Sequence, residues 1–383
     1  MATPAGRKIK VLHIITGLST GGAEMMLYRL LAELKGSDFE PVVLSLTSAG
    51  PVGDKIKGLG VPVYSLGMGK RFRDAALFFK LVKLVKKHDP DVVQTWMYHA
   101  DLVGGLAAKV AGYGKVLWGV RHSDLSPKAN KRTTVWVARL CARLSTVLPV
   151  VVVCCSEVSR RVHSELGYDL GRMVVITNGF EVERFSPQVG DGPALRGELG
   201  IPGSSVVVGL VARFDPQKDH LNFVKAASMV CKVHRGVHFL LCGDGVDHRN
   251  EELAGWIDST GFKERFHLLG RIDDVPRVMS ALDVLVSSSL GEGFPNVVGE
   301  AMACGVPCVV TEVGDSARIV GDCGVVVPPR APELLAEGLI RLISVAVGRR
   351  RELGYLARRR MVGGFSLPVV ANRYASLYGS LVN

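Results

Sequence analysis

Two successive alternations of short apolar runs with longer amphipathic stretches constrain the fold of this chain more than any other feature. In the first half, apolar runs at 8–15, 40–46 and 115–120 are separated by stretches with helical periodicity, as at 74–88 and 100–111. The short runs predict buried strands, and the amphipathic stretches predict helices. Strands that alternate with helices predict a parallel sheet with helices on both faces.

The alternation is interrupted once, at 186–200, by a segment rich in proline, glycine and charge (SPQVGDGPALRGELG), and then restarts. Such a segment indicates a linker and the opening of a second unit. The 383 residues are also too many for one core but suit two domains. We therefore predict an α/β fold of two Rossmann-like doubly wound domains, 1–185 and 186–364, facing a central cleft. A C-terminal helix at 365–383 is expected to cross back to the first domain.

Composition argues against a membrane-spanning or disulfide-bonded protein. The longest apolar run, Val147 to Cys155, has nine residues and contains Pro149, whereas a spanning helix needs about 20. The first ten residues lack the apolar core of a secretory signal. The eight cysteines lie mostly in apolar contexts, which favours the cytoplasm. Cys304 and Cys308 have no nearby histidine pair and do not predict a zinc site.

The positive charge of the chain is concentrated in its first half. Residues 1–180 hold 25 Lys+Arg and 13 Asp+Glu, a net of +12, whereas 181–383 hold 22 and 23, a net of −1. This asymmetry favours an anionic partner on the first half: nucleic acid, an anionic membrane surface or a phosphorylated acceptor. A solvated basic face is the alternative.

The most informative segment is the loop and helix at 287–307. A predicted strand ends in SSSLGEGFPNVV, and a helix is expected to begin near Asn296, which we interpret as its N-cap. Such a loop, leading into a helix N-terminus, predicts an anion site. Two carboxylates flank this element, Glu292 in the loop and Glu300 about one turn inside the helix. The alternative for both is a solvated surface position.

A second loop carries two cations at a strand end. Arg213 and Lys218 follow the predicted strand at 206–210 and precede a predicted helix. Arginine offers a planar fork of donors and lysine a mobile point charge, and together they suit a diphosphate. The alternative is a pair of solvated surface cations.

A third loop, GLSTGGAE, contains Gly21 and Gly22 and opens the first predicted helix. Its glycine spacing differs from the dinucleotide fingerprint, and the turn that begins at Gly243 has His248 where that fingerprint needs glycine. No phosphate-binding Walker sequence occurs either. These differences weaken dehydrogenase and ATPase interpretations.

The chain resembles the family 4 glycosyltransferases over nearly its full length. The most specific part is the pair Glu292 and Glu300, with seven residues between them, in GEGFPNVVGEAMACGVPCV. The Arg213–Lys218 pair, the Gly243-Asp-Gly245 turn, the Leu269-Gly-Arg271 segment and the early Gly21-Gly22 loop follow the family's order. The resemblance implies a GT-B fold, a retaining reaction and a nucleotide-sugar donor, with UDP favoured as the base-bearing group.

The resemblance also implies roles for individual residues in the donor domain. Glu300 would bind the donor ribose, and Arg271 would lie near the base. Arg213 and Lys218 would neutralise the leaving diphosphate. The remaining donor contacts would come from the loop that follows the buried strand and from the preceding glycine turn: Glu292, Gly293, Phe294, Pro295, Asn296 and Gly243.

The first domain would contribute the Gly21-Gly22 loop, close to the phosphates or the sugar, and His122, close to the sugar. A lone histidine is more often structural, which is the alternative for His122. The family pattern departs at 313–318, where Gly314-Asp315 replaces a glycine pair and Arg318 falls where an acid is common. This departure bears on contacts near the phosphates.

The implied mechanism stabilises charge on the leaving diphosphate. Arg213, Lys218 and the helix dipole near Asn296 would neutralise it as it forms. Retention through a covalent carboxylate intermediate and retention through front-face attack are both open, and family precedent favours the latter. No metal or other cofactor is expected, because protein cations supply the charge. Asp89-Pro90-Asp91 is interpreted as a helix-to-strand boundary.

The acceptor is expected on the basic first domain. Two clusters carry its cations, with members Lys70, Arg71, Arg73, Lys80, Lys83, Lys86 and Lys87 in one and Lys128, Lys131 and Arg132 in the other. We expect a glycan or lipid-linked acceptor in cell-surface polysaccharide or lipopolysaccharide synthesis, and a cytoplasmic protein with weak peripheral attachment to the inner face of the membrane. A solvated basic helix at 74–88 explains the same pattern.

Two other functions fit parts of the sequence. A UDP-N-acetylglucosamine 2-epimerase shares the fold and the nucleotide sugar, but the Glu292 and Glu300 element argues against it. A non-catalytic nucleic-acid-binding protein would fit a pI near 9.3. No recognised nucleic-acid motif and no basic–aromatic interleaving support it.

Overall fold

The computed structural model describes residues 7–69, 75–123, 125, 131–187 and 190–382. Some sequence predictions fall outside these ranges. They concern the cations Lys70, Arg71, Arg73 and Lys128, and Asp74, the first residue of the helix predicted at 74–88.

The described chain divides into two compact units. The first unit comprises Met1–Gly179 together with Leu367–Asn383, and the second comprises Phe180–Ser366. Each unit contains one parallel sheet.

The sheet of the first unit has seven strands in the order β3-β2-β1-β4-β5-β6-β7. The register is parallel throughout: Ile14 of the first strand, for example, lies opposite Leu44 on one side and Thr95 on the other. The strands are β1 (Ile9–Ile15), β2 (Phe39–Ser45), β3 (Val63–Ser65), β4 (Val92–Trp96), β5 (Val116–Val120), β6 (Val151–Cys154) and β7 (Met173–Val175).

Helices connect these strands and cover both faces of the sheet. One hydrophobic cluster contains α3, α4 and α5, and another contains α1, α2 and the C-terminal helix (Leu367–Val382), which packs on β1, β4 and α1. The connecting helices are α1 (Gly22–Glu33), α2 (Gly50–Gly58), α3 (Ala75–His88), α4 (Tyr98–Ala111), α5 (Arg132–Leu144) and α6 (Glu157–Leu166).

The sheet of the second unit has six parallel strands in the order β10-β9-β8-β11-β12-β13. Its strands are β8 (Val206–Val211), β9 (Val237–Cys242), β10 (Phe266–Leu268), β11 (Val284–Ser287), β12 (Cys308–Thr311) and β13 (Val325–Val327). Its helices are α7 (Gly192–Glu198), α8 (His220–Val233), α9 (Glu251–Asp258), α10 (Val275–Ser280), α11 (Asn296–Ala303), α12 (Ser316–Val320), α13 (Pro332–Ile343) and α14 (Val347–Gly364).

Both sheets therefore have the doubly wound order of a Rossmann-like domain, as predicted. In each, the strand order reverses beside the first strand of the unit, between β1 and β4 and between β8 and β11. The central strands β4, β5, β11 and β12 are buried along their whole length, because helices cover both of their faces.

The division between the units differs from the predicted one at 185/186, because it lies between Gly179 and Phe180. Phe180, Val182 and Phe185 are buried in the core of the second unit. The guanidinium of Arg358 on α14 donates to the carbonyls of Val182 and Phe185 at 3.1 Å. These contacts attach the segment to the second unit before its proline- and glycine-rich part begins.

Close packing between Phe180 and α11 gives a stability prediction. A Cβ added at Gly299 would overlap the Phe180 ring, whereas one added at Gly255, an exposed position on α9, would meet no neighbour. We expect Gly299→Ala to lower the free energy of unfolding by about 1–3 kcal/mol through overpacking. Gly255→Ala should change it by at most about 1 kcal/mol, in the stabilising direction. Urea denaturation measures both, and equal effects would contradict the packing argument.

Candidate functional site

The reversal of strand order in the second unit brings together two of the predicted loops. The Arg213–Lys218 loop follows β8, and the loop containing Glu292 follows β11. Because β8 and β11 are adjacent and parallel, both loops leave the same edge of the sheet. Ligands of doubly wound sheets bind at this position.

Asp215 organises the first loop. Its carboxylate accepts hydrogen bonds from the Gln217 N–H at 2.9 Å and from Arg213 Nε at 3.1 Å. The backbone donor of Gln217, followed by Arg213, holds the pKa of Asp215 below its usual value. The Arg213 side chain remains 64% exposed, so its other donors face solvent.

An ion pair joins the two loops. Lys218 Nζ lies 2.5 Å from Glu292 Oε1, and both side chains are mostly buried. Ser289 Oγ donates to the same carboxylate oxygen at 2.6 Å. The backbones are also linked, because the Leu290 N–H donates to the Gln217 carbonyl at 2.7 Å and Ser288 Oγ to the Lys218 carbonyl at 2.8 Å.

A cavity of about 220 Å³ lies between these loops and the strand ends. Five of the predicted site residues line it: Lys218, Glu292, Phe294, Pro295 and Asn296. The other lining residues come from β8, β11 and the segments that follow them: Leu210, Val211, Ala212, Val286, Ser287, Ser288, Ser289 and Val297. The cavity combines one cation, one carboxylate, three serines and a helix N-terminus.

The N-terminus of α11 differs in detail from the prediction. Pro295 occupies the N-cap position and Asn296 is the first helical residue, so the interpretation of Asn296 as the cap was wrong. Pro295 has no side-chain oxygen that can accept a hydrogen bond, and the cap makes no side-chain hydrogen bond. The first N–H groups of a helix have no helical acceptor. Asn296 and Val297 both line the cavity, so this helix end faces it, and a helix N-terminus favours an anion.

Four predicted donor-binding residues of the second unit lie outside the lining of this cavity: Gly243, Arg271, Gly293 and Glu300. Arg213 also lies outside it. Glu300 is half-buried on α11. Burial of the Cys304 thiol, followed by the negative charge of Glu300, raises the pKa of Cys304 to about 12. Gly243 follows β9 in the left-handed region, with φ +152°, and a Cβ there would overlap the Ala212 carbonyl. Arg271 is 77% exposed and lies 3.7 Å from Asp273. The exposed guanidinium group of Arg271 is accessible to a ligand.

Gly314 packs closely against the backbone of the Glu292 loop. Its φ is +55°, and a Cβ would overlap the Glu292 carbonyl. The next N–H, of Asp315, donates to the Gly293 carbonyl at 3.1 Å, and the buried Asp315 carboxylate lies 3.5 Å from Arg318 Nη1. Arg318 is thus paired within its own segment.

The predicted residues of the first unit lie at the corresponding edge of its sheet. Gly21 is the N-cap of α1, where the Glu24 carboxylate folds against it. Burial raises the pKa of Glu24, and a backbone hydrogen bond partly opposes the rise. The helix start is thus glycine-rich, as expected for close approach of a ligand.

His122 follows β5 and stacks on the buried ring of Tyr98, with ring centroids 5.1 Å apart. Burial, and then the charge of His99, lower the pKa of His122, so the ring is neutral near pH 7. Within the described part of the chain, its Nδ1 has no hydrogen-bond partner. Tyr98 is fixed in turn by His163, whose Nε2 lies 2.6 Å from the Tyr98 hydroxyl. His122 is thus a neutral imidazole at the carboxyl end of β5, and its ring is held in place by stacking on Tyr98.

Sequence reasoning missed three residues that shape the site. Ser288 and Ser289 fix the backbone and carboxylate of the Lys218–Glu292 pair, and Asp215 holds the Arg213 loop. The serines were visible in the sequence as a Ser-Ser-Ser run at the end of β11. Their hydrogen-bond partners depend on the neighbouring strand and could not be assigned from the sequence.

Sequence comparisons match both units to glycosyltransferase families. Residues 20–184 match Glycosyltransferase Family 4, and residues 205–345 match Glycosyl transferases group 1. The chain is similar to the UDP-Gal:alpha-D-GlcNAc-diphosphoundecaprenol alpha-1,3-galactosyltransferase of Escherichia coli, with 26% identity over 98% of each chain. It is also similar to the putative glycosyltransferase EpsF of Bacillus subtilis, with 26% identity over 79% of each chain.

Solved structures have the same fold. The structure of HepE from Anabaena in complex with UDP matches with a TM-score of 0.85, covering 97% of this chain and 100% of that one at 23% identity. The fold and the matched families define a GT-B glycosyltransferase. The chain belongs to the family 4 glycosyltransferases, as its sequence motifs indicated. This membership disfavours both the epimerase and the non-catalytic nucleic-acid-binding alternatives.

The Lys218–Glu292 pair allows a direct test of the site geometry. In a double-mutant cycle with Lys218→Met and Glu292→Gln, we expect a coupling of about 1–2 kcal/mol in the free energy of unfolding, because the pair is short and mostly buried. The control pair, Lys263 with Asp258 at 2.9 Å, has side chains 69% and 52% exposed. Its coupling, from Lys263→Met and Asp258→Asn, should stay below about 0.5 kcal/mol. Similar couplings for both pairs would contradict the geometry.

Proposed function

We propose that this glycosyltransferase moves a hexose or N-acetylhexosamine from a UDP-sugar to a lipid-linked or glycan acceptor, with retention of configuration. The observation that carries the proposal is the cavity between Lys218, Glu292 and the N-terminus of α11. It places a cation and the N-terminus of a helix beside a carboxylate at a strand edge. Those groups suit a diphosphate joined to a sugar.

The leaving diphosphate needs positive charge as the bond to the sugar breaks. Lys218 can release Glu292 and turn to a phosphate, which has more acceptor oxygens than the carboxylate. Arg213, largely exposed on the same loop, can supply a second set of donors. Glu292 is then available to the hydroxyls of the sugar, and Glu300 to those of the ribose. Aligned donors of this kind stabilise charge that develops in the transition state.

The choice of UDP rests on what the relatives bind. The similar E. coli enzyme carries UDP-Gal in its name, and the Anabaena protein was solved with UDP and with UDP-glucose. The exposed Arg271 and the Gly243 turn are proposed to lie near the base. Gly21, Gly22 and His122 of the first unit are proposed to approach the phosphates and the sugar.

In the proposed reaction, the bond between the anomeric carbon and the β-phosphate oxygen breaks, and its electron pair leaves with UDP. An acceptor hydroxyl oxygen forms the new bond to the anomeric carbon on the same face. Its proton passes to the departing phosphate oxygen in the front-face version of the reaction. We propose that no metal is needed, because Lys218, Arg213 and the helix N-terminus supply the positive charge.

The acceptor proposal comes from the relative that acts on a diphosphoundecaprenol-linked sugar and from the basic first half of this chain. A glycan on such a carrier fits cell-surface polysaccharide or lipopolysaccharide synthesis at the inner face of the cytoplasmic membrane. Among the described residues, no helix is long and apolar enough to cross a bilayer. Contact with a lipid-linked acceptor is proposed to occur through peripheral attachment by the basic first half of the chain.

A thermal-shift panel tests the donor proposal. UDP-sugars are expected to raise the melting temperature of the wild-type protein, in the presence of a chelator as well as with magnesium, whereas GDP- and ADP-sugars should not. Glu300→Ala should reduce the shift, and the exposed control Glu337→Ala on α13 should keep it. Stabilisation by GDP- or ADP-sugars instead would refute the choice of UDP. An unchanged shift in Glu300→Ala would refute the placement of the ribose.

A further inference from the structure

One face of the first unit combines exposed aromatic side chains with a high density of cations. It consists of the outer sides of α3, α4 and α5, which we call the α3–α5 surface. These helices pack side by side, α3 against α4 and α4 against α5. Their inner sides, with Leu81, Ala107 and Ala138, are buried in one core cluster. The outer sides of the three helices therefore form one continuous solvent-facing surface.

Large apolar side chains protrude from this surface. Trp136 on α5 is 65% exposed and Phe79 on α3 is 60% exposed, and Leu106 and Val110 on α4 are also exposed. Among the described residues, Trp136 and Phe79 are the most exposed tryptophan and phenylalanine. Exposure of two large aromatic side chains on the two helices that flank α4 marks an interaction site more often than single scattered apolar residues do.

The exposed charged side chains of these three helices are all basic. Residues 75–88 contain four lysines and no acid, and residues 131–147 contain four cations and no acid. The single acid of α4, Asp101, is fully buried. The exposed cations are Lys80, Lys83, Lys86, Lys87, Lys109, Lys131, Arg132, Arg139 and Arg143. The partner of this surface must therefore be anionic as well as able to accept aromatic side chains.

The two aromatic side chains lie towards one end of the surface. α3 and α5 each return the chain to the start of a parallel strand, so both helices begin at the carboxyl edge of the sheet. Phe79 and Trp136 are each the fifth residue of their helix. They lie near the edge that also carries Gly21, Gly22 and His122 in this unit. A membrane bound there would bring a lipid-linked acceptor to the correct edge.

We propose that the α3–α5 surface binds an anionic phospholipid bilayer, with Trp136 and Phe79 inserted at the level of the headgroups. This inference rests on the proposed lipid-linked acceptor. Aromatic side chains favour the membrane–water interface, and lysine and arginine are attracted to anionic headgroups while their apolar stems lie along the acyl boundary. A purely electrostatic partner would explain the cations and leave the exposed tryptophan and phenylalanine without a role.

Vesicle co-sedimentation of the full chain tests the proposal. Wild type is expected to bind vesicles of phosphatidylglycerol and phosphatidylcholine at low salt, to bind pure phosphatidylcholine poorly, and to lose affinity as salt rises. Trp136→Ala with Phe79→Ala should lower the partition coefficient about tenfold or more, since the inserted rings contribute apolar burial. Lys80→Gln with Lys83→Gln should lower it by about tenfold through lost charge.

A matched aromatic control lies in the second unit. Tyr355 on α14 is 66% exposed, as much as Trp136. Tyr355→Ala should leave vesicle binding within about twofold of wild type, since it removes no anchor of the proposed surface. A blue shift of Trp136 fluorescence on vesicle binding, compared with the Trp136→Phe variant, would add direct evidence of insertion.

Three results would overturn the inference: no vesicle binding by wild type, equal loss in Tyr355→Ala, or binding that survives the aromatic variants but is competed by nucleic acid. The UDP-sugar thermal shift of the same variants separates this inference from the proposed function. If the shift is retained while vesicle binding is absent, the membrane surface is wrong and the donor proposal stands. If the shift is absent in wild type, the donor proposal fails independently of the vesicles.

Discussion

The contact between Lys218 and Glu292 is the interaction on which the proposed donor site of the second unit depends. The two residues are far apart in sequence and belong to loops that follow different strands, yet their charged atoms lie 2.5 Å apart. The pair is mostly buried, and its main value is positional, because it holds a cation and a carboxylate in the lining of one cavity. Ser289 and the backbone of Gln217 constrain the same junction. A phosphate entering the cavity would exchange one anionic partner of Lys218 for another, so the lysine remains neutralised throughout.

The topology of the sheet makes this contact possible. Because β8 and β11 are adjacent and parallel while the chain between them visits β9 and β10, two loops of unrelated sequence meet at one edge. The same order in the first unit brings the glycine loop after β1 to the edge that carries Tyr98 and His122. Glycine is required where two backbone segments pass most closely, as where Gly314 contacts the Glu292 carbonyl. The site therefore depends on the strand order first and on individual side chains second.

The periodicity of the sequence was sufficient to predict the two doubly wound units, since β1 and β5 lie within the predicted runs at 8–15 and 115–120 and β8 begins at Val206 as predicted. Predictions from local sequence patterns were less accurate where tertiary contacts determine the bounds of an element. The segment at 186–200 was predicted as a linker and the opening of the second unit, and it contains α7 of that unit, but the residues just before it already pack into the second core. Asn296 has the chemistry of a cap, but the loop ends one residue earlier, at Pro295. Glu292 and Lys218 were each identified from the family pattern, whereas their direct contact and the part of Ser289 follow only from the pairing of the strands.

The most direct test of the account is the turnover of Lys218→Ala, measured as UDP-sugar transfer to a lipid-linked acceptor. If Lys218 stabilises the leaving diphosphate, kcat should fall by about 100-fold or more. Lys225→Ala, which removes an exposed lysine from the outer side of α8, should retain wild-type turnover. A Lys218→Ala enzyme that folds normally and transfers sugar at the wild-type rate would contradict the central claim that this cavity holds the departing nucleotide diphosphate.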